Sequence, residues 1–272
     1  MADGQRTPQP LEAPVRIANL AFVGLGGVLV LVCLLLFGQT VGFGFVRADD
    51  ADLITGNQAF LSELSNAPRV FLRSYFEVDG ELSNLETYYR PLVVLSFMVD
   101  AQFAGGGQAV YHATNIILHA IVVVLLFGLA LRLGAGRYAA FGAALLFAVH
   151  PLTVQTVSWI VGRNDSLLAI FALLSLIGLD AAVRDKRAWG FWLHLVTFAL
   201  ALFTKETGIV LLPAYGLIVW LWYDRVGFYR EVRWLPWSYF GAAGVWMAVR
   251  HFALAGGEVS ATPGESLMTF AR

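Results

Sequence analysis

The chain has 272 residues, 58% of them hydrophobic, with 18 Lys and Arg set against 19 Asp and Glu. Soluble domains are about 45–50% apolar, so the composition excludes an ordinary soluble protein and points to the lipid bilayer as solvent. The near-zero net charge carries no footprint of nucleic-acid binding, and a lone cysteine, Cys33, excludes an internal disulfide framework.

Residues 1–18 are polar and proline-containing, with Arg6 and Arg16, and read as a cytoplasmic tail. They are too long and mixed for the n-region of a signal peptide, and no cleavage site follows. Residues 19–42 therefore read as an uncleaved first transmembrane helix. An outer loop, 43–107, comes next and opens on "FVRADDADLITGN", where Asp49, Asp50 and Asp52 follow directly on the apolar span. Later in the loop "PLVVLSFMVDAQFAG" (91–105) has a short uncharged stretch before Asp100. A crossing needs roughly 20 residues, so this segment is predicted to be a re-entrant or interfacial helix, with 57–64 as a second. Residues 108–255 hold transmembrane helices 2–7, at about 109–133, 138–161, 166–183, 188–204, 207–223 and 235–254; the second of these is broken at His150-Pro151. Residues 256–272 begin a second outer loop, as expected of a fragment or a shortened homologue. The predicted fold is an all-α integral membrane protein, with about seven transmembrane helices and a first outer loop carrying interfacial helices.

Orientation follows from the short loops. "RLGAGR", "VRDKRAW" and "YDRVGFYREVRW" contain Arg132, Arg137, Arg184, Lys186, Arg187, Arg225, Arg230 and Arg233. With seven spans they share one side with Arg6 and Arg16, which is the cytoplasmic side by the positive-inside rule. The polar motifs then gather on the opposite side, at the outer helix ends.

Each motif has a plain reading and a functional one. Asp49 and Asp50 are either a solvated helix end or a carboxylate general base; two adjacent acids are also able to hold a divalent cation. In "WIVGRND", Trp159 and Arg163 are four apart and are expected to share a helical face. Asn164 and Asp165 suit a helix N-terminus as caps. Arg163 opposes the dipole there and needs an anion. Lys205 and Glu206, in "TKET", are a snorkelling Lys with a surface Glu, or a positive charge aimed at an anionic lipid headgroup. Arg90, in "YYRP", is an aromatic-plus-Arg interfacial anchor or a clamp for a phosphate or a sugar. His112 and His119 lie seven apart on one face of span 2 without an acidic or Cys partner, which favours packing over metal. His150 is expected to face the cleft, because Pro151 breaks the helix beside it.

The ordered set "FVRADDADLITGN", "YYRPLVVLS", "LHA", "LFAVHP", "WIVGRND" and "TKE" resembles the membrane module of the transmembrane-and-tetratricopeptide-repeat O-mannosyltransferases and their bacterial relatives, within the C-type (GT-C) glycosyltransferases. The resemblance covers about residues 40–223. It implies an inverting transferase in a bacterial inner membrane, working on the periplasmic face. A single sugar, mannose in that family, would pass from a polyprenyl-phosphate donor to a hydroxyl of a protein or glycan. Asp49 or Asp50 would be the base, Asp49 before Asp50, whose part would be to orient it or hold a cation; Arg90, His150, Arg163, Asp165, Lys205 and Glu206 would bind the donor phosphate and sugar, with Arg90, Arg163 and Lys205 as the cations for the phosphate. Two other readings compete: a transporter or flippase for a polyprenyl-linked or anionic substrate, and an inactive scaffold of the same fold. A transporter would place its polar residues at midplane depth, whereas here they cluster at one end of the helices.

Overall fold

A computed structural model describes residues 12–46, 49–78, 81–82, 88–222 and 235–258. These are helical apart from a two-residue antiparallel ribbon, Glu77–Val78 against Glu81–Leu82. The helices are α1 (Glu12–Phe37), α2 (Gln58–Ser62), α3 (Pro91–Ala104), α4 (Ala109–Arg132), α5 (Arg137–Ala148), α6 (Thr153–Ser158), α7 (Arg163–Val183), α8 (Ala188–Thr204), α9 (Leu211–Trp222) and α10 (Leu235–Glu258).

Among the described residues three segments are long and apolar enough to cross a membrane: Phe22–Gly42, Ala109–Arg132 and Ile160–Val183. Shorter apolar helices surround them. The expected span at 138–161 is one of these in two pieces. Pro151 lacks an N–H and biases His150 away from the helical region, so α5 stops at Ala148 and α6 restarts at Thr153. The twelve residues of α5 rise only about 18 Å. The expected helix at 207–223 opens as a 3-10 turn, Glu206–Val210, before α9 begins. The inner loop 223–234, with Arg225, Arg230 and Arg233, and the tails 1–11 and 259–272 lie outside the described residues.

The core has an apolar layer and a roof. Leu29 and Cys33 of α1 pack with Phe127 of α4 and with Ala140, Ala144 and Ala148 of α5, where small side chains let the helices approach. On the other side α7 and α8 come into backbone contact. A Cβ on Gly178 would lie 2.7 Å from the Gly190 carbonyl oxygen, and one on Gly190 would lie 2.6 Å from that of Gly178. Only glycine fits at this crossing. At the C-terminal ends of α4 and α7 Asp180, 1% exposed, pairs with Arg132 at 2.6 Å and Arg184 at 3.2 Å.

The outer loop is built as a folded layer. Leu53, Ile54, Leu61, Val70, Tyr75 and Phe76 form a core with Val93, Phe97 and Met98 of α3, closed by Ile160 and Val161 just before α7. Val99 and Phe103 are exposed on the far side of α3. This helix is held by its buried face and by Asp100, which is why it can be short.

Candidate active site

A cleft of about 510 Å³ opens between the outer loop and the helix ends. Asp49 lines it from the turn that follows α1. Arg90 lines it from the residue before α3, where Pro91 occupies N1 and starts the helix. Trp159 and Gly162 come from the α6–α7 connection, Asn164 and Asp165 from the first turn of α7, and Lys205 from the end of α8. Phe76 and Tyr88 supply aromatic wall, and Gln155 and Thr156 polar wall.

Both cleft cations are held in place by acids. The Glu206 carboxylate accepts from the Tyr89 N–H at 2.7 Å and from Arg90 Nε at 3.1 Å. The Arg90 guanidinium lies over the Tyr88 ring, 4.4 Å from its centroid. Lys205 Nζ donates to Asp165 Oδ1 at 2.5 Å and to Asn164 Oδ1 at 3.4 Å. Asp165 is half exposed, so water screens that pair and it is weakly held.

The two adjacent acids separate. Asp49 is half-buried and lines the cleft, whereas Asp50 is fully buried and is not among the cleft-lining residues. Asp50 Oδ2 accepts from the Val46 N–H at 2.8 Å, which fixes the turn leading out of α1. Burial pushes the Asp50 carboxyl above the usual carboxylate range; the Val46 N–H opposes the rise and the neighbouring Asp49 charge adds to it. An acid whose folded-state pKa is raised stabilises the fold while protonated, and loses that contribution as pH rises through the raised value. Asp50→Asn is therefore expected to be at least as stable as the parent at neutral pH. Its advantage should shrink as pH falls through the raised Asp50 pKa toward the ordinary carboxylate range. Unfolding temperatures of the two proteins across that window in detergent check this; an advantage that grows on acidification would contradict it.

Arg163 takes a different place from the cleft cations. It is fully buried and does not line the cleft. Its Nη1 pairs with Asp100 Oδ2 at 2.6 Å and donates to Ser96 Oγ at 3.3 Å. Nε donates to Asn115 Oδ1 at 3.0 Å, and Nη2 to the Tyr111 carbonyl at 2.9 Å. Asp100 Oδ1 accepts from the Thr114 hydroxyl at 2.7 Å. Asn115 Nδ2 also meets the carbonyls of Val157, Trp159 and Ile160 at 2.9–3.2 Å. This hub ties α3, α4 and α7 together and sets the path of the connection that brings Trp159 and Gly162 into the cleft. At Gly162 a Cβ would lie 2.8 Å from the Gln155 carbonyl oxygen, so the turn demands glycine.

The expected common face for Trp159 and Arg163 is not formed. Trp159 is extended (φ −91°, ψ 125°), residues 160–162 form a 3-10 turn, and α7 starts at Arg163. The chain turns between them, so one residue reaches the cleft and the other the interior. His150 is exposed, accepts from the Leu152 N–H at 3.2 Å through Nδ1, and is not among the cleft residues. His119 Nε2 lies 3.2 Å from the Ala148 carbonyl oxygen, and His112 packs edge-on against Phe43. Among the described residues no group of three or more His, Cys, Asp or Glu side chains converges.

Sequence reasoning missed Asp100 and Asn115 as the partners of Arg163. The signal was present: a carboxylate inside an apolar helix requires a counter-charge, and Arg163 lacked an assigned anion. It also missed Gln155 and Thr156 as cleft wall, since nothing in their spacing distinguishes them from solvated polar residues.

The architecture is that of a helical membrane protein with two acids and two cations lining one cleft at the helix ends. The family model described as dolichyl-phosphate-mannose-protein mannosyltransferase matches residues 95–249, more than half of the chain, and the chain belongs to that family. It is 34% identical over 209 residues to human protein O-mannosyl-transferase TMTC4, covering 68% of this chain and 27% of that protein. It is 31% identical over 217 residues to human protein O-mannosyl-transferase TMTC1 (76% and 24%), and 37% identical over 145 residues to protein O-mannosyl-transferase tmtc2 of Xenopus laevis (53% and 17%). The chain thus spans about a quarter or less of the length of these curated relatives. No solved structure matches it.

Proposed function

We propose that this chain is the membrane part of a glycosyltransferase that moves one mannose from a polyprenyl-phosphate donor to a hydroxyl of a protein or glycan acceptor, with inversion, on the outward face of the membrane. The observation that carries the reading is that Asp49, Arg90 and Lys205 line one cleft. The Asp49 carboxylate accepts the proton of the acceptor hydroxyl as its oxygen attacks the anomeric carbon. The bond from that carbon to the donor phosphate oxygen breaks on the opposite face of the sugar, which inverts the centre. The phosphate leaves as an anion and needs fixed positive charge more than a protonating acid. Lys205 and Arg90 supply it. Glu206 spends both oxygens on Tyr89 and Arg90, so it aims the Arg, while Asp165 steadies Lys205 until the phosphate joins the pair. The ring of Trp159 offers a flat apolar face to the C–H side of a pyranose.

Lys205→Met tests the site. It should weaken binding of a polyprenyl phosphate by about tenfold or more, the weight of a charge-assisted hydrogen bond of about 1.5–3 kcal/mol, and lower mannose transfer at least as much. Unchanged binding and unchanged transfer from a polyprenyl-phosphate mannose would refute the assignment.

The outward placement rests on seven crossings with the N-terminus inside, as the basic loops require; in a bacterial inner membrane the cleft then faces the periplasm. In a protein with Cys33 replaced by Ala, Glu63→Cys should react with an impermeant thiol reagent added outside, and Asp185→Cys should be shielded. The reverse pattern would invert the topology.

A further inference from the structure

A cavity of about 560 Å³ lies between α1, α4 and α7, at the far end of these helices from the cleft. Its size falls in the range of roughly 300–1,000 Å³ that small-molecule sites occupy. Phe22 opens the candidate span Phe22–Gly42, Arg132 closes Ala109–Arg132, and Ile177 lies in the last two turns of Ile160–Val183, so the cavity sits at one membrane surface. Val124, Gly128 and Arg132 follow one another at four-residue spacing along α4 and share a face. Gly128 leaves a notch in that row: a Cβ there would meet only the Phe22 ring, at 3.7 Å. Phe22 is stacked on Phe127, with 5.3 Å between ring centroids, which fixes the α1 wall. Every wall residue except Arg132 is apolar.

Arg132 gives this apolar groove a charged end. Its Nε pairs with Asp180 at 2.6 Å and its Nη2 with Asp185, while its Nη1 makes no hydrogen bond among the described residues. The turns around it, 132–137 and 180–187, hold Arg132, Arg137, Arg184, Lys186 and Arg187 against Asp180 and Asp185, so the local field favours an anion. Tyr138, Trp189 and Trp192 are exposed in and beside the same turns, as aromatic side chains are where a bilayer meets water. We propose that the groove holds an acyl chain of an anionic glycerophospholipid, with the lipid phosphate on Arg132 Nη1 and the headgroup over the basic turns. A zwitterionic lipid has the same phosphate, but its own cation would meet the excess of positive charge. A helix of a second protein fits less well, because a notch one residue deep admits a chain and not a cylinder about 10 Å across. The assignment is independent of the transferase reading.

The test uses the purified protein, stripped of lipid in mild detergent, with phosphatidylglycerol and phosphatidylcholine of identical dioleoyl chains as probes. Native mass spectrometry counts the bound lipid, and each variant is first compared with the parent for its unfolding temperature without lipid. The parent should bind phosphatidylglycerol about tenfold more tightly than phosphatidylcholine, the equivalent of about 1.4 kcal/mol. Gly128→Leu fills the notch with a residue of better helix propensity than glycine and should weaken both lipids by about tenfold. Arg137→Gln combined with Arg187→Gln, at two exposed positions, should bring phosphatidylglycerol down toward phosphatidylcholine and leave phosphatidylcholine unchanged. Equal binding of the two lipids by the parent, or binding of neither, would overturn the anionic-lipid assignment. Phosphatidylglycerol held by Gly128→Leu at the parent affinity would overturn the groove, and a full preference kept by the double variant would overturn the headgroup placement. Should Gly128→Leu unfold at a lower temperature than the parent, Val124→Phe, on the same row, decides: a tenfold loss supports the groove, and parent affinity overturns it.

Discussion

Asp49→Asn should lower mannose transfer by roughly 10²–10⁴-fold, the usual weight of general-base catalysis, while polyprenyl-phosphate binding changes little. An aliphatic hydroxyl is a poor nucleophile at neutral pH, and its oxygen gains the needed electron density only as a positioned base takes the proton. Asn preserves the size of the side chain and removes that capacity. Of the two neighbouring acids only Asp49 lines the cleft, since Asp50 is buried on the Val46 N–H. Asp50→Asn should accordingly retain far more of the rate than Asp49→Asn. Initial rates with a labelled polyprenyl-phosphate mannose, in the longest natural chain carrying this module, give both comparisons. If both variants transfer at the parent rate, neither acid is the base and the transferase reading loses its main support.

Arg163→Gln should destabilise the protein by about 3–5 kcal/mol, the cost of leaving one member of a buried ion pair without its partner. Asp100 is 4% exposed and would keep only the hydrogen bond from the Thr114 hydroxyl, so its charge would be left buried without a counter-ion. The double variant Arg163→Gln, Asp100→Asn removes both charges and should recover much of the loss, because a neutral amide pair avoids the desolvation that the ions must overcome. Unfolding of the single and double variants in detergent measures this. The same double variant separates structure from ligand binding: folded protein should bind polyprenyl phosphate close to the parent affinity. Stable double variant that has lost donor binding would make Arg163 a donor ligand after all.

The helices were legible in the sequence because the bilayer leaves little choice. An apolar run of the right length must be helical to satisfy its backbone, and Pro151 marks where one must stop. Asp49, Arg90 and Lys205 were legible as candidates because charge at a membrane surface needs a reason to be there. Their partners were not. Arg90 and Glu206 are separated by 116 positions and Arg163 and Ser96 by 67, and no periodicity reports a pairing that only the packed bundle creates. The different burial of Asp49 and Asp50 had no local signal for a related reason. Two adjacent identical residues carry the same local signal, and the turn after α1 decides which of them meets solvent. Trp159 and Arg163 failed as a pair because helical spacing was applied across a helix boundary that a 3-10 turn had moved.

The Gly178–Gly190 contact has a mechanical consequence. Two helices whose backbones touch can neither slide nor rotate past each other without collision, so α7 and α8 form one stiff lever. Asp165 and Asn164 at the start of α7 and Lys205 at the end of α8 ride on it together, and their spacing is insensitive to breathing of the bundle. Arg90 is mounted on the outer layer and meets this lever through Glu206 at 3.1 Å. Tyr89, next to Arg90, packs against Phe198 and Leu202 of α8, so the Arg90 side is braced on the same lever. Asn164, Asp165 and Lys205 thus form one wall of the cleft whose spacing is set by a glycine contact near the opposite ends of the same two helices.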